Sequence, residues 1–247
     1  MIKKSWKDPS GFIDRIYVEE SCFGLPYTKE ILNRAQLPYT LVPDRGKPND
    51  LDKDYVSNLT AGKRQLFLCE NRGSFFKPCP GTREYQCCDY QILNTGMNCP
   101  MDCVYCILQA YLNTPWMTFY VNTDKLFNEL DQGLSNDSNS FFRIGTGEFT
   151  DSMAIDRLTA LSPQLVHYFS KQENAVLELK TKSGAVKNLE GLDHNGRTIV
   201  AWSLNSPAII QTEEIRTATL DERLDAAKFC ADSGYKLAFH FDPIIDH

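Results

Sequence analysis

The sequence predicts an α/β fold: a parallel, TIM-type sheet over residues 76–247, preceded by a small α/β extension over residues 1–75. Three observations predict it. From residue 141 onward, short apolar runs alternate with helical patterns, which implies parallel strands joined by crossover helices. The residues that carry chemistry fall just after those runs, where barrel-type sheets place their working groups. The 247 residues are 42% hydrophobic and 11% aromatic, enough for a sizeable core in one large domain or two small ones.

Within the extension, residues 15–19 alternate like a strand, and Thr28 is placed to cap a helix through about Arg34 with Ile31 and Leu32 inward. Residues 40–42 and 65–69 read as strands, and the polar stretch 47–54 as a surface loop. Residues 76–82 hold two prolines and a glycine and read as irregular backbone. Residues 89–94 are the first strand of the larger sheet, and Gly96 releases the chain into a cysteine-rich loop. Residues 107–112 are helical in composition and are expected to pack beneath that loop. Residues 118–121 are extended, Thr123 is placed to cap a helix to about Leu130, and residues 132–139 form a loop.

The regular alternation then begins. Strands are expected at 141–144, 175–180, 198–202 and 236–241, which with 89–94 makes five. A helix spans 151–161, and Ser162-Pro163 restarts one. Thr219 with Glu222 forms a capping box, Leu220, Leu224, Ala227 and Ala231 supply an apolar face, and Gly234 ends that helix. The sequence stops six residues after Phe241, just past a buried-looking strand, and is expected to end inside its domain.

The chemistry centres on Cys99, Cys103 and Cys106, spaced C-x3-C-x2-C. Among nine cysteines in this length, such a spacing arises by chance about 1% of the time. Thiolates suit iron–sulfur clusters and zinc. Three of them hold three irons of a 4Fe–4S cube and leave the fourth open, whereas structural zinc wants a fourth ligand, for which Cys79, Cys87 and Cys88 are candidates. Plain buried thiols are the third reading. Cys79, Cys87 and Cys88 also suggest a second metal site, but adjacent cysteines diverge and chelate one metal poorly, which favours packing. Cys22 and Cys69 read as buried thiols.

Nine cysteines, an odd count, and an N-terminus with no apolar signal region point to reduced cytosolic thiols. No apolar run approaches the length of a membrane span. A net charge of −6 lends no support to DNA as a partner, although it leaves room for a local basic groove.

The cysteine spacing with the apolar-aromatic run after it resembles the signature of radical S-adenosylmethionine enzymes. Residues 77–82, Cys87, Cys88, 90–94 and 98–113 are similar to the spore photoproduct lyase branch. That resemblance implies a partial (βα)6 barrel, a 4Fe–4S cluster on Cys99, Cys103 and Cys106, and S-adenosylmethionine at the open iron. An electron donor such as a flavodoxin or ferredoxin would be the partner. It also implies cofactor roles at strand ends. Gly145, Gly147 and Glu148 would meet the methionine amino group, since glycines admit close approach and a carboxylate suits an ammonium. Lys182 would pair with the methionine carboxylate, Ser203 would hydrogen-bond the cofactor and Asn205 would support it. His240 and Asp242 would face the pocket.

The chain departs from the family pattern twice. Residues 147–152 lack the hydrogen-donating cysteine that such lyases carry after the second strand, and Ile107 stands where they carry a tyrosine after the third cluster cysteine. These departures weaken the expectation of DNA photoproduct repair more than that of S-adenosylmethionine cleavage. Three other readings stand beside it: a zinc-binding, non-enzymatic interaction module, a radical enzyme for an unrelated substrate, and a degenerate fragment that binds a cluster without a complete barrel.

Overall fold

The computed structural model describes residues 6–48, 55–81, 89–137 and 140–245. The chain opens with β1 (Arg15–Glu19), α1 (Pro26–Ala35), β2 (Tyr39–Val42), α2 (Tyr55–Gly62) and β3 (Gln65–Cys69). Short elements follow: β4 (Phe76–Pro78), β5 (Gln91–Leu93), β6 (Gly96–Met97), β7 (Asp102–Cys103), α3 (Leu108–Tyr111) and β8 (Met117–Tyr120). After α4 (Thr123–Asn136) come β9 (Phe142–Gly145), α5 (Asp156–Thr159), α6 (Leu161–Phe169), β10 (Ala175–Thr181) and β11 (Thr198–Ser203). The last elements are α7 (Pro207–Glu213), β12 (Glu214–Ile215), α8 (Leu220–Asp232) and β13 (Lys236–His240).

Two larger sheets organise these elements. The first runs β2-β1-β3-β8-β6, parallel except for β6. It takes strands from both sides of residue 75. The second runs β13-β11-β10-β9-β5-β4, with β5, β9, β10, β11 and β13 parallel and only β4 antiparallel. The five expected parallel strands are these five. The fold is thus α/β, with parallel strands alternating with helices.

One continuous core serves both sheets. Ile16 and Leu66 from the first and Ile144, Leu177 and Val200 from the second are all fully buried in it. Each such side chain contributes about 1.5–3 kcal/mol by leaving water. Because strand side chains alternate, burying Leu177, Leu179, Val200 and Trp202 on one face turns Glu178, Lys180 and Ser203 to the other. That second face is polar, and it is where the cysteine loop lies.

Several elements differ from expectation for local reasons. Helix α1 begins at Pro26, which suits a first helical turn, so Thr28 is buried inside the helix rather than capping it. Residues 76–78 form β4 despite Pro78, an edge position where a missing N–H is tolerated. Helix α3 buries no residue, and Ile107 and Tyr111 are exposed, so it does not pack beneath the loop. Helix α4 continues through residues 132–136, expected as loop, because Leu134 extends the buried row of Leu126 and Leu130; Thr123 does not cap it. Residues 151–155 are turn rather than helix, and a left-handed Ala160 (φ 47°) separates α5 from α6. The expected 47–54 loop lies largely outside the described residues.

Candidate active site

The cysteine loop is held from three directions. Its entry is fixed by Asn98, a left-handed residue (φ 71°). Asn98 N donates to Phe149 O at 2.9 Å, its Nδ2 to Pro115 O at 2.9 Å, and its Oδ1 accepts from Cys99 N at 2.9 Å. Asparagine tolerates this backbone because its short amide bonds locally. In mid-loop, the Asp102 carboxylate lies 2.8 Å from Lys63 Nζ and 3.1 Å from Arg216 Nη1. The same lysine donates to Met101 O. On the far side β7 pairs with β12, setting Cys103 opposite Glu214, and Val104 N donates to Glu213 O at 2.8 Å.

Within this frame the three cysteines pack into one small apolar cluster. Cys103 is buried with Met101 and Ala154, and half-buried Cys99, Cys106 and Tyr105 pack against them. Cys106 N donates to Cys103 O at 3.1 Å, the turn that brings C-x2-C side chains to one side. Burial, then the neighbouring Asp151 carboxylate, pushes the Cys99 thiol well above the usual range. Burial pushes Cys103 up to about 12, although Lys182 opposes the rise.

All three thiols are free, and three free thiols packed around one small apolar cluster have the chemistry for a soft metal or an iron–sulfur cluster. They are gathered on one loop rather than pre-set for ligation. Among the described residues, no group of three or more His, Cys, Asp or Glu side chains is already close enough to hold a metal ion. Half-buried Cys79 sits apart at the end of β4, its N–H donating to Tyr90 O at 2.9 Å; Cys87 and Cys88 lie outside the described residues.

Among the expected strand-end residues, Lys182 reaches this loop at the Tyr105 ring and Asn205 reaches it through Glu214. Gly145 ends β9, and a Cβ there would lie 1.5 Å from the Tyr90 hydroxyl oxygen. At Gly147 a Cβ would sit 3.3 Å from Ser152 Oγ and 3.4 Å from Lys180 O, so the turn packs closely on β10. Half-buried Glu148 follows. Lys182 Nζ stands over the Tyr105 ring, 5.8 Å from its centre. Asn205 Nδ2 donates to Glu214 Oε1 at 2.9 Å, and buried Ser203 gives its carbonyl to Arg223 Nη1 at 2.7 Å.

Further down the polar face, buried Glu178 lies 2.8 Å from His240 Nε2 and 3.6 Å from Arg143 Nε, and Lys180 Nζ lies 3.8 Å from Asp242 Oδ2. His240 and Asp242 thus belong to the same face as Glu178 and Lys180.

Some residues that shape the site carry no sign in the sequence. Asp151 accepts from Met153 N, Ala154 N and Thr181 Oγ1 with one oxygen and from Lys182 N at 2.8 Å with the other, pinning two strand ends together. The sequence reads Asp151 only as the start of a helix. Lys63, Glu214, Arg216 and Arg223 bond partners distant in sequence, so no local spacing marks them.

A family model described as spore photoproduct lyase matches residues 14–247. A spore photoproduct lyase of Bacillus subtilis (strain 168) is 31% identical over 237 residues, covering 94% of this chain and 68% of that protein. One from Clostridium acetobutylicum is 26% identical over 241 residues, covering 93% and 68%. Among solved structures, a spore photoproduct lyase complexed with dinucleoside spore photoproduct matches with a TM-score of 0.83 at 25% identity, over 95% of this chain and 69% of that one. A mutant of that enzyme with bound AdoMet and the same dinucleoside matches with a TM-score of 0.85 at 24% identity, over the same shares, a likeness of fold.

Proposed function

The chain belongs to the spore photoproduct lyase family, and from that premise we propose that it is a radical S-adenosylmethionine lyase acting on a DNA photoproduct. The observation that carries this reading is that Cys99, Cys103 and Cys106 pack in one cluster on a loop tied to the turn after β9 by Asn98 and Phe149, to Lys182 after β10, and to Asn205 after β11 through Glu214. Cys99, Cys103 and Cys106 would hold a 4Fe–4S cluster. When bound, the cluster and S-adenosylmethionine supply a 5′-deoxyadenosyl radical that takes a hydrogen atom from substrate.

This chain's residues bind, orient and shield. The Lys182 ammonium, kept near the loop by the Tyr105 ring, pairs with the methionine carboxylate. Gly145 and Gly147 let backbone approach closely, and Glu148 receives the amino group. Ser203 and Asn205 orient the cofactor from the end of β11. Met101 and Ala154 keep water from the cysteines. Arg143, Lys180 and His240, paired with Glu178 and Asp242, supply local basic groups on the polar face for a DNA lesion despite the net charge of −6. The relatives' names and the dinucleoside in the solved complex support that substrate. The stretch 147–152 has no cysteine, so hydrogen return falls to another group. An electron donor of flavodoxin or ferredoxin type and a reducing cytosol complete the reading.

The test is anaerobic reconstitution followed by incubation with reductant, S-adenosylmethionine and an oligonucleotide bearing the spore photoproduct. Brown protein with about four irons per chain and lesion reversal above a no-enzyme control are expected. Colourless protein holding one zinc contradicts the cofactor assignment. Brown protein without lesion reversal contradicts the substrate.

A further inference from the structure

One buried ion pair joins the two halves of the site. Arg223 on α8 is fully buried and Glu214 on β12 is 2% exposed. The guanidinium donates from Nε to Ala218 O at 2.9 Å and from Nη1 to Ser203 O at 2.7 Å. Its Nη2 donates to Thr217 Oγ1 at 2.7 Å and to the Glu214 carboxylate. Glu214 also accepts from the Tyr105 hydroxyl on the cysteine loop and from Asn205 Nδ2 beyond β11. The backbone repeats the link: Glu214 faces Cys103 in the β7–β12 ladder, and Ala218 N donates to Lys182 O at 2.9 Å.

A buried pair is tolerated only when its remaining donors and acceptors are satisfied. Here that satisfaction comes from both sides at once: Tyr105 from the cysteine loop, and Ser203 and Asn205 from the strand ends. Movement of either side therefore breaks bonds that hold the other. We propose that Glu214, fixed by Arg223, is a positioning residue that couples the cysteine loop to the strand ends at Lys182, Ser203 and Asn205. Order on one side then tightens the other. The inference rests on the proposed function for what the two sides bind, and on geometry alone for the coupling.

Tyr105→Phe tests it, since it keeps the ring and removes one arm of the pair. In the iron-loaded wild type, adding S-adenosylmethionine is expected to change the electron paramagnetic resonance spectrum of the reduced protein. The variant is expected to carry the same iron and to need about tenfold more S-adenosylmethionine for that change, the size of a typical coupling between sites. In the metal-free chain, amide hydrogen exchange is expected to speed up at residues 203–206 as well as at 99–106, while residues 175–181 keep the wild-type rate. Glu214→Gln, which keeps the shape and removes the charge, is expected to enlarge both effects. An unchanged S-adenosylmethionine titration, or unchanged exchange at 203–206, in Tyr105→Phe overturns the coupling, even if Glu214→Gln fails to fold. A wild-type chain that takes up no iron overturns the cofactor assignment instead, and exchange in the metal-free chain still decides the coupling.

Discussion

The chemistry of single residues sets when the cysteines can act. A thiol must lose its proton to bind a metal. Burial holds Cys103 up at about 12 and Cys99 above the usual range, so both carry protons at neutral pH. Metal uptake must expel those protons and therefore strengthens as pH rises, by up to about tenfold per pH unit for each proton released. Titrating the metal-free chain with zinc in weak buffer is expected to release about two protons or more per chain; uptake independent of pH contradicts this. Glu214 responds in the opposite sense. Burial pushes its carboxyl up, but the Arg223 charge and the hydrogen bonds from Tyr105 and Asn205 outweigh it, leaving it below the usual carboxylate range. A depressed folded value gives stability that is complete above the unfolded value of about 4.5 and is lost as pH falls through the folded one. Glu214→Gln should therefore flatten the acid limb of the stability curve measured by urea midpoint. At Gly145, a methyl group would collide with Tyr90, so Gly145→Ala is expected to cost about 1–3 kcal/mol in the same assay.

At the scale of elements, the signals that proved readable are local ones. The capping box at Thr219 and Glu222 is present in both halves, and Thr219→Ala is expected to lower the unfolding free energy by about 1 kcal/mol. The apolar runs at residues 65–69, 175–180 and 198–202 became β3, β10 and β11 because buried parallel strands are written as continuous apolar stretches. What failed depended on distant partners. Leu220, Leu224, Ala227 and Ala231 look like the inner face of α8. Yet the buried residues are Arg223, Ala226, Ala227 and Cys230, because Arg223 turns inward to reach Glu214 and Ser203. The break expected at Ser162-Pro163 falls instead at Ala160, which no local signal marks, since alanine favours helix. Its left-handed backbone is strained for a residue with a Cβ, so Ala160→Gly is expected to raise stability by up to about 1 kcal/mol in thermal unfolding.

On the scale of the whole molecule, two mainly parallel sheets share one core, and the second turns a polar face toward a cysteine loop braced by Lys63, ahead of β3, and by β12. The parallel strands and the cysteine spacing were legible because each lies in contiguous sequence. The braces were not: Lys63, Glu214 and Arg216 meet the loop from distant parts of the sequence. Net charge was the weakest guide, because a total of −6 says nothing about which residues line one face. The central claim is that this folded face, with Cys99, Cys103 and Cys106 at its mouth, cleaves S-adenosylmethionine. It is tested most directly by measuring 5′-deoxyadenosine after anaerobic reconstitution and reduction. The wild type is expected to form it and Cys99→Ala to form none above a no-protein control. Equal formation by both, or none by a wild type carrying its full iron, would contradict the account.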